Sequence, residues 1–237
     1  MAIGIMSAGT ASADNVPKDF RVKLHDGGGM VRQGANYFIS KDSSYAEMWE
    51  GEARTKLYFK TGMDDLKTLY NIILQYDFHR IETFEEMVYD RGGTTITATF
   101  DGETYSKADA GMTFIEESWR DEFDMVEGEI RKIVAKNLVP MQRQVTIKFD
   151  DSFMDDDKIV NFNVGDFVYM SAKDGYNGSV TVTLLPGEHY AYFTMMNKEL
   201  TTEPGAKIFA QGQGVIRIDK DTDEILVYRE GKEILWK

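Results

Sequence analysis

Residues 113–138 read TFIEESWRDEFDMVEGEIRKIVAKNL and carry the longest stretch of helical periodicity in the chain. Their apolar residues recur at steps of three and four, which places them along one side of an α-helix. The residues of this stripe are Ile115, Trp119, Phe123, Val126, Ile130, Ile133 and Val134. Thr113 and Glu116 have the spacing of a capping box at a helix start, and Pro140 lies just beyond the helix end. The pattern predicts a core-facing helix over residues 113–138.

The sheet that this helix packs against is predicted directly before it. Residues 94–100 alternate between apolar and polar side chains, and a returning strand follows at 104–106. Asp101-Gly102 between them favours a type I′ hairpin turn, in which both central residues need a positive φ. We expect Trp119 to pack against this sheet in the core, as a large buried aromatic side chain with no role in a ligand site.

The residues before this hairpin predict further strands and a second helix. The strands are predicted at 20–24, 36–40, 45–50 and 55–60. The helix is predicted from Met63 to about Phe78, with Asp64 and Asp65 in its first turn, where the helix dipole favours negative charge. Together these elements predict an α+β domain over residues 19–139, with two long helices on one face of an antiparallel sheet.

After Pro140 the helical periodicity disappears, and short apolar runs alternate with turn residues. Strands are predicted at 145–149, 159–164, 167–172, 179–184, 190–195, 207–210, 215–219, 225–229 and 234–236. Their number and spacing favour an all-β immunoglobulin-like sandwich over residues 140–237, and the sequence leaves a small barrel open as the alternative. Because the periodicity changes at Pro140, we expect a separate hydrophobic core on each side of it.

Composition narrows the classes of partner. The formal net charge of −13 and the pI near 4.7 give the protein a negative surface field, which repels phosphate backbones and anionic lipid headgroups. Nucleic acid and membrane surfaces are therefore disfavoured, and no segment has the length and apolarity of a membrane span. The chain has no cysteine and three histidines, His25, His79 and His189, so neither a disulfide nor a multi-histidine metal site is predicted.

Residues 1–18 have the composition of a processing segment. Residues 2–13 are small and apolar, end in Ala11-Ser12-Ala13 and give way to polar Asp14, which is typical of a secretory cleavage site. A basic leader is missing, so a truncated signal peptide and a flexible tail both remain open. The signal-peptide interpretation predicts export to the periplasm or the extracellular space.

Two acidic segments have some features of calcium sites. Asp219, Asp221 and Asp223 occupy alternate positions with Glu230 beyond them, but Glu224 stands where a calcium loop needs glycine for its bend. The second segment is the run of Asp150, Asp151, Asp155, Asp156 and Asp157. Both are predicted to be solvated loops, and no metal or cofactor residue is assigned.

Three short motifs favour ordinary turns. His25-Asp26-Gly27-Gly28-Gly29 resembles the oxyanion-hole loop of esterases, but no G-x-S-x-G nucleophile elbow accompanies it, so a tight turn is predicted. Gly212-x-Gly214 lacks the third glycine of a dinucleotide fingerprint. Asn177-Gly178-Ser179 has the form of a glycosylation site and equally that of a hairpin turn.

Aromatic residues and carboxylates leave two kinds of site open. The aromatic candidates for a peptide- or sugar-binding surface are Tyr45, Trp49, Tyr58, Tyr190 and Tyr192. Aromatic residues that alternate in strands also fill cores, and the sequence does not separate the two roles. The 40 acidic residues offer many carboxylate pairs for acid–base catalysis, yet no pattern selects one pair, so no catalytic residue is assigned.

Residues 20–137 contain, in this order, Gly28-Gly29, Leu66, Leu69, Phe78, Asp90 and the Asp101-Gly102 turn. In this order of features the segment resembles emfourin-type small protease inhibitors. Residues 45–50 form an insertion before the first helix that departs from the compact pattern, and the inhibitory residues stay unassigned. The resemblance implies binding to a protease rather than catalysis.

These observations favour an exported, non-enzymatic two-domain protein that binds a protein or another component of the cell envelope. An inhibitor of a secreted protease, acting through the first domain, is the second hypothesis. A carboxylate-dependent carbohydrate hydrolase is the third. An exposed apolar patch without a pocket indicates binding, whereas two facing carboxylates in a deep pocket indicate the hydrolase.

Overall fold

The computed structural model describes residues 16–30, 32–153, 158–165, 167–170, 178–197 and 208–237, and the account below concerns these residues. They pack as two units. The first unit contains the described residues of 1–46 together with 58–137. The second contains residues 47–57 and the described residues of 138–237. Predicted features at residues 1–15, at Asp155, Asp156 and Asp157 and at Asn177 lie outside the described residues.

A six-stranded sheet has the strand order β4-β3-β2-β1-β6-β7, and all of it except residues 47–57 belongs to the first unit. Its strands are β1 (Arg21–Gly28), β2 (Gln33–Ser40), β3 (Ser44–Glu50), β4 (Ala53–Phe59), β6 (Gly92–Phe100) and β7 (Glu103–Asp109). A separate two-stranded sheet joins β5 (Thr83–Glu85) to β8 (Thr113–Ile115). The helices are α1 (Met63–Gln75) and α2 (Arg120–Leu138). They are not consecutive, because four strands separate them along the chain.

The six-stranded sheet has one covered face, as its alternating sequence requires. Val22 and Leu24 on β1 are buried, whereas Lys23 between them is exposed. The covered face is tied to α2, whose Arg131 donates a hydrogen bond of 2.7 Å to Asp26 at the end of β1. The helices bury the apolar stripes that their sequences carry: Leu66, Leu69, Tyr70 and Ile73 of α1, and Phe123, Val126, Ile130, Ile133 and Val134 of α2.

The start of the second helix differs from the prediction. Residues 113–115 form β8 rather than a first helical turn, because their backbone groups pair with residues 83–85. Glu116 has extended backbone angles and makes no capping hydrogen bond with its side chain, so the predicted capping box is wrong. Trp119 lies in a 3-10 turn (Glu117–Trp119) before the helix and is partly buried, so its predicted place on the helical stripe is also wrong.

The predicted hairpin turn is confirmed. Asp101 and Gly102 have φ values of 53° and 80°, and the flanking residues Phe100 and Glu103 are paired. Asp19 stabilises the turn, since its carboxylate accepts hydrogen bonds from the backbone nitrogens of Asp101 at 3.2 Å and Gly102 at 2.7 Å. The backbone N–H of Gly102 makes the larger contribution to lowering the pKa of Asp19 below its usual value.

The second unit is all-β apart from short 3-10 turns. Its strands are β9 (Arg143–Phe149), β10 (Lys158–Val164), β11 (Phe167–Met170), β12 (Ser179–Leu184), β13 (Gly187–Asn197), β14 (Ile208–Ile218), β15 (Glu224–Glu230) and β16 (Glu233–Trp236). They form one eight-stranded sheet in the order β11-β10-β13-β14-β16-β15-β9-β12. Two of its pairings, β14 with β16 and β15 with β9, are parallel. Most of the buried side chains of these strands form one cluster, around which the sheet curls.

This arrangement does not confirm the immunoglobulin-like sandwich, in which two antiparallel sheets face each other. It also joins two predicted strands, because β14 runs without interruption through Gly212 and Gly214. A Cβ atom on Gly212 would lie 2.0 Å from the carbonyl oxygen of Ile234, and one on Gly214 would lie 3.1 Å from the ring of Trp236. The glycines therefore mark the close approach of β16 rather than a loop.

Residues 47–57, the far half of the β3–β4 hairpin, pack on β13 within the second unit. The Thr55 hydroxyl donates to the carbonyl oxygen of Glu188 at 2.9 Å and accepts from the backbone nitrogen of Glu188 at 2.7 Å. A Cβ atom on Gly51 would lie 3.1 Å from the ring of Tyr190. The sequence assigned this hairpin wholly to residues 19–139, whereas its far half completes the C-terminal unit.

Candidate functional site

The first unit exposes large apolar side chains around the β5–β8 pair. Phe84, Met87, Tyr89 and Met112 are 39%, 76%, 82% and 55% exposed, and we call these four residues the methionine patch. Two contacts bring its segments together: the Tyr89 hydroxyl lies 3.6 Å from the Met87 sulfur, and the backbone nitrogen of Glu86 donates to the Met112 carbonyl oxygen at 2.9 Å. Contiguous apolar surface of this kind commonly marks an interaction site.

The β5–β8 ladder fixes the base of the patch. Phe84 pairs with Phe114, and their rings stack with centroids 5.3 Å apart. Beyond this pair, the backbone nitrogen of Glu116 donates to the carbonyl oxygen of Glu82 at 3.1 Å. Hydrogen bonds at both ends therefore hold β5 in register, although all three of its residues are exposed.

Arg91 contacts two residues of β8, Phe114 and Thr113. Its guanidinium carbon lies 3.9 Å from the centroid of the Phe114 ring, a cation–π contact, and its Nη1 donates to the Thr113 carbonyl oxygen at 2.9 Å. The same guanidinium forms an ion pair with Asp109, which also accepts a 3.0 Å hydrogen bond from Arg120. One carboxylate thus joins β7, the segment before β6 and the start of α2.

The electrostatics of this cluster favour its charged form. Burial of Asp109 raises the pKa of its carboxyl group, but the hydrogen bonds from Arg91 and Arg120 outweigh burial and lower that pKa below the usual value. The hydrogen bond to Asp109 also raises the pKa of Arg120. The ion pairs therefore persist at neutral pH and fix the position of β8.

Met30 adjoins the patch and is 81% exposed. It follows Gly29, whose φ is +63° and where a Cβ atom would lie 2.5 Å from the carbonyl oxygen of Asp90. Asp90 itself has a φ of 57° and follows Tyr89. Met30 and Tyr89 therefore project from two turns whose backbones touch.

The rim of the methionine patch is acidic. Residues 82–90 contain Glu82, Glu85, Glu86 and Asp90, all exposed, and no lysine or arginine. The nearest arginine along the chain, Arg91, is half-buried and paired with Asp109. The surface therefore combines apolar side chains with negative charge.

The predicted aromatic surface is divided between the two units. On the first unit Tyr45 stacks on Phe38 with centroids 5.4 Å apart and contacts the exposed Tyr58 at 6.1 Å. On the second unit Trp49 lies 6.0 Å from the Arg54 guanidinium, and the Tyr190 hydroxyl donates to Gln213 at 3.2 Å. These aromatic residues therefore contact neighbouring side chains of their own unit. Tyr192 lines a shallow groove of about 670 Å³ with Phe209 and Lys232.

The His25–Gly29 motif is strand rather than loop over most of its length. β1 continues to Gly28, whose neighbours in the ladder are residues of β6, so the predicted tight turn shrinks to Gly29 and Met30. His25 is hydrogen-bonded through Nδ1 to the side-chain oxygen of Asn36 at 2.9 Å. The backbone of this motif is paired with β2 and β6. Its N–H groups are therefore engaged in the sheet and do not form an oxyanion hole.

Asp26, the residue after His25, shares an arginine partner with Glu127. Arg131 bridges Asp26 and Glu127, donating to each at 2.7 Å. Burial lowers the pKa of Arg131, but the hydrogen bonds to the two carboxylates outweigh it and raise that pKa. One guanidinium thus engages both carboxylates, and the three side chains form an ion-pair cluster that joins β1 to α2.

The Asp219 segment folds as a turn whose hydrogen bonds are made within the segment. The Asp219 carboxylate accepts hydrogen bonds from the Asp221 backbone at 2.9 Å and the Thr222 hydroxyl at 3.0 Å, and the Asp221 backbone N–H contributes most to lowering its pKa. A carboxylate oxygen of Asp223 lies 3.5 Å from the guanidinium of Arg143. Asp219, Asp221 and Asp223 line a groove of about 670 Å³. In the other acidic run Asp150 accepts a 3.0 Å hydrogen bond from the Ser152 backbone.

Among the described residues, no group of three or more histidine, aspartate or glutamate side chains is arranged to hold a metal ion. Within the same part of the chain, no helix combines the length and apolarity needed to cross a membrane. No protein-family model, curated protein or solved structure matches the chain.

The methionine patch and its support were not predicted from sequence. The sequence predicts no helix or strand at residues 81–90, and the roles of Arg91, Asp109 and Arg120 depend on contacts between distant segments. One local signal was present: residues 82–90 interleave four acidic residues with Phe84, Met87, Val88 and Tyr89. Such a mixture does not match the period of a buried strand or helix, which is typical of a surface segment.

Proposed function

We propose that this protein is a non-enzymatic binding protein of the cell envelope and that the methionine patch is its contact surface. The observation that carries the proposal is the exposure of Met87, Tyr89 and Met112 on a backbone that ion pairs and a hydrogen-bonded ladder hold in place. An apolar surface on a rigid base loses little conformational entropy on binding. Methionine side chains also adapt to partners of different shape.

Exposure of the patch has a cost that a binding role explains. Large apolar side chains in water contribute nothing to stability, and they promote aggregation when they adjoin one another. The strand positions of the same unit show the opposite choice, because Val22, Leu24 and Ile96 are all buried. Export, which the composition of residues 2–13 predicts, places this surface where proteins of the envelope are its partners.

Site-specific photo-crosslinking tests this proposal. A photoreactive amino acid is placed at Met87 in one variant and at Met125 in the control, since Met125 is 47% exposed on α2 of the same unit. We expect a discrete covalent adduct from position 87 and none from position 125 in intact cells. The purified partner should then bind the wild-type protein and lose binding to the Met87→Ser/Tyr89→Ser variant. Equal crosslinking from both positions refutes the proposal.

The resemblance to emfourin-type inhibitors supports a second candidate, in which the partner is a secreted protease. A segment that enters a protease cleft must be exposed, and Thr83, Phe84 and Glu85 of β5 are exposed in succession. Wild-type protein would then inhibit at least one enzyme of a panel of secreted proteases, and the Met87→Ser/Tyr89→Ser variant would not. Cleavage of substrate at an unchanged rate across the panel excludes this candidate.

A further inference from the structure

We propose that the partner of the methionine patch binds as an extended segment rich in lysine or arginine and apolar residues, which adds a third strand to the free edge of β5. This inference rests on the proposed function and specifies the chemistry of its ligand. It combines three observations: the direction of the β5 backbone groups, the closed edge of β8 and the acidic rim.

The ladder register shows which backbone groups of β5 are available. Phe84 pairs with Phe114, and the hydrogen bonds of Glu86 to Met112 and of Glu116 to Glu82 lie two residues to either side. In an antiparallel ladder, alternate residues direct their N–H and C=O groups to the partner strand. Residues 82, 84 and 86 therefore face β8, and the N–H and C=O groups of Thr83 and Glu85 point away from it.

The other edge of the two-stranded sheet is occupied. Thr113 of β8 exchanges two backbone hydrogen bonds of 3.1 Å with Ala110, which follows β7. Arg91 also donates a hydrogen bond to the Thr113 carbonyl oxygen. A strand that joins this sheet can therefore add only at β5, where the exposed edge lies beside the methionine patch.

Charge selects the class of added strand. Glu82, Glu85 and Glu86 are exposed along β5 and its flanks, and Asp90 closes the segment. Opposite charges on paired strands stabilise the pair, and like charges destabilise it. Lysine or arginine side chains of the partner would meet these carboxylates, while its apolar side chains cover Phe84 and Met87.

The same charge argues against two other occupants. A second copy of this chain would bring an identical acidic edge to β5 and add its own formal charge of −13. An anionic membrane surface would be repelled for the same reason. A cationic extended peptide is the ligand that matches both the backbone and the charge.

Titration with short synthetic peptides tests the inference on the full-length protein. The probe alternates lysine with leucine, and the charge control alternates glutamate with leucine. We expect measurable binding of the lysine peptide by fluorescence anisotropy, weakening as salt is raised, and binding of the glutamate peptide at least about tenfold weaker. A lysine peptide with N-methyl groups on alternate backbone nitrogens cannot donate to β5, and we expect its affinity to fall by about tenfold as well.

A matched pair of protein variants tests the edge itself. Thr83→Pro removes an N–H group that points away from β8 and leaves the ladder bonds of Glu82, Phe84 and Glu86 intact, whereas Thr83→Ala keeps the N–H group. We expect Thr83→Pro to reduce peptide affinity by about tenfold relative to Thr83→Ala. If Thr83→Pro does not fold, the N-methylated peptide tests the same hydrogen bonds on the wild-type protein.

The outcomes separate this inference from the proposed function. No binding of the lysine peptide, or equal affinity for the N-methylated peptide, overturns strand addition to β5. Crosslinking from Met87 would then still support a binding surface of another geometry. Absence of both peptide binding and crosslinking would overturn the inference and the proposed function together.

Discussion

Replacing Asp109 by alanine is expected to destabilise the first unit by about 2 to 4 kcal/mol. The carboxylate accepts hydrogen bonds from two guanidinium groups, those of Arg91 and Arg120, and its own side chain is only 19% exposed. Hydrogen bonds that involve charged groups contribute about 1.5 to 3 kcal/mol each. The expected loss is smaller than twice that range because Arg91 keeps its bond to Thr113, and Arg120 keeps a 3.3 Å bond to the Ile115 carbonyl oxygen.

Asp65→Ala provides the matched control. Asp65 accepts a 2.8 Å hydrogen bond from Lys136, whose side chain is 66% exposed, so solvent screens the pair. Ion pairs of this kind contribute less than about 1 kcal/mol. Both variants also carry Trp49→Phe and Trp236→Phe, because the chain has three tryptophans and Trp119 then reports unfolding of the first unit alone.

The assay is urea denaturation followed by Trp119 fluorescence. The pKa of Asp109 is lowered in the folded protein, so its carboxylate stabilises the fold above its unfolded pKa of about 3.9, and this contribution is lost as the pH falls through the folded value. The difference between the Trp49→Phe/Trp236→Phe parent and the same protein with Asp109→Ala should therefore be full at neutral pH and shrink progressively below about pH 5. A loss equal to that of Asp65→Ala, or a difference that does not depend on pH, refutes the reasoning.

Three further outcomes follow from the packing of individual residues. Gly212→Ala should lower the free energy of unfolding by about 1 to 3 kcal/mol in urea denaturation, because the new Cβ atom would lie 2.0 Å from the β16 backbone. Gly128→Ala on α2 has open space around it and should raise the free energy of unfolding by about 0.5 to 1 kcal/mol. The reverse order of the two variants would contradict the geometry. Phe193→Ala should cost about 3 to 5 kcal/mol, since the ring is fully buried, and a loss under 1 kcal/mol would show a poorly packed core. Millimolar calcium should leave the thermal midpoint unchanged, because Asp219 is already hydrogen-bonded within its turn; a stabilisation that Asp221→Ala abolishes would contradict this.

The sequence predicted the elements whose conformation depends on residues close to one another along the chain. The Asp101-Gly102 turn was predicted because positive φ values at two adjacent residues are needed there whatever the rest of the chain does. The stripe of α2 was predicted from Phe123 onward for a similar reason. Residues 113–119 were assigned to the same helix because Ile115 and Trp119 fit its period, but pairing with residues 83–85 decided their conformation instead.

Long-range pairing also explains why the second unit was predicted only in part. The strand positions follow from alternation, but the order that places β9 between β15 and β12 has no local signature. The glycines of β14 were interpreted as a break because the strand that approaches them, β16, lies elsewhere in the sequence. The composition of the segment alone could not distinguish a close approach from a loop.

The candidate site was beyond sequence reasoning because exposure is a property of the fold. Met87 is 76% exposed and Met195 is 1% exposed, although both are methionines next to other apolar residues. Asp109 likewise ends an ordinary strand, and only the structure brings Arg91 and Arg120 to its two oxygens. Sequence supplied the acidic character of residues 82–90, and the ladder register supplied their direction.

The far half of the β3–β4 hairpin has a consequence for synthesis of the protein on the ribosome. Thr55 and its partner Glu188 are separated by 133 positions in the chain. At bacterial and eukaryotic elongation rates this interval takes roughly 7 to 27 s. Residues 47–57, including Trp49, therefore emerge long before the strand that receives them exists, so the nascent chain presents an unsatisfied aromatic hairpin throughout that interval. The C-terminal unit therefore completes its packing only after translation has passed β13.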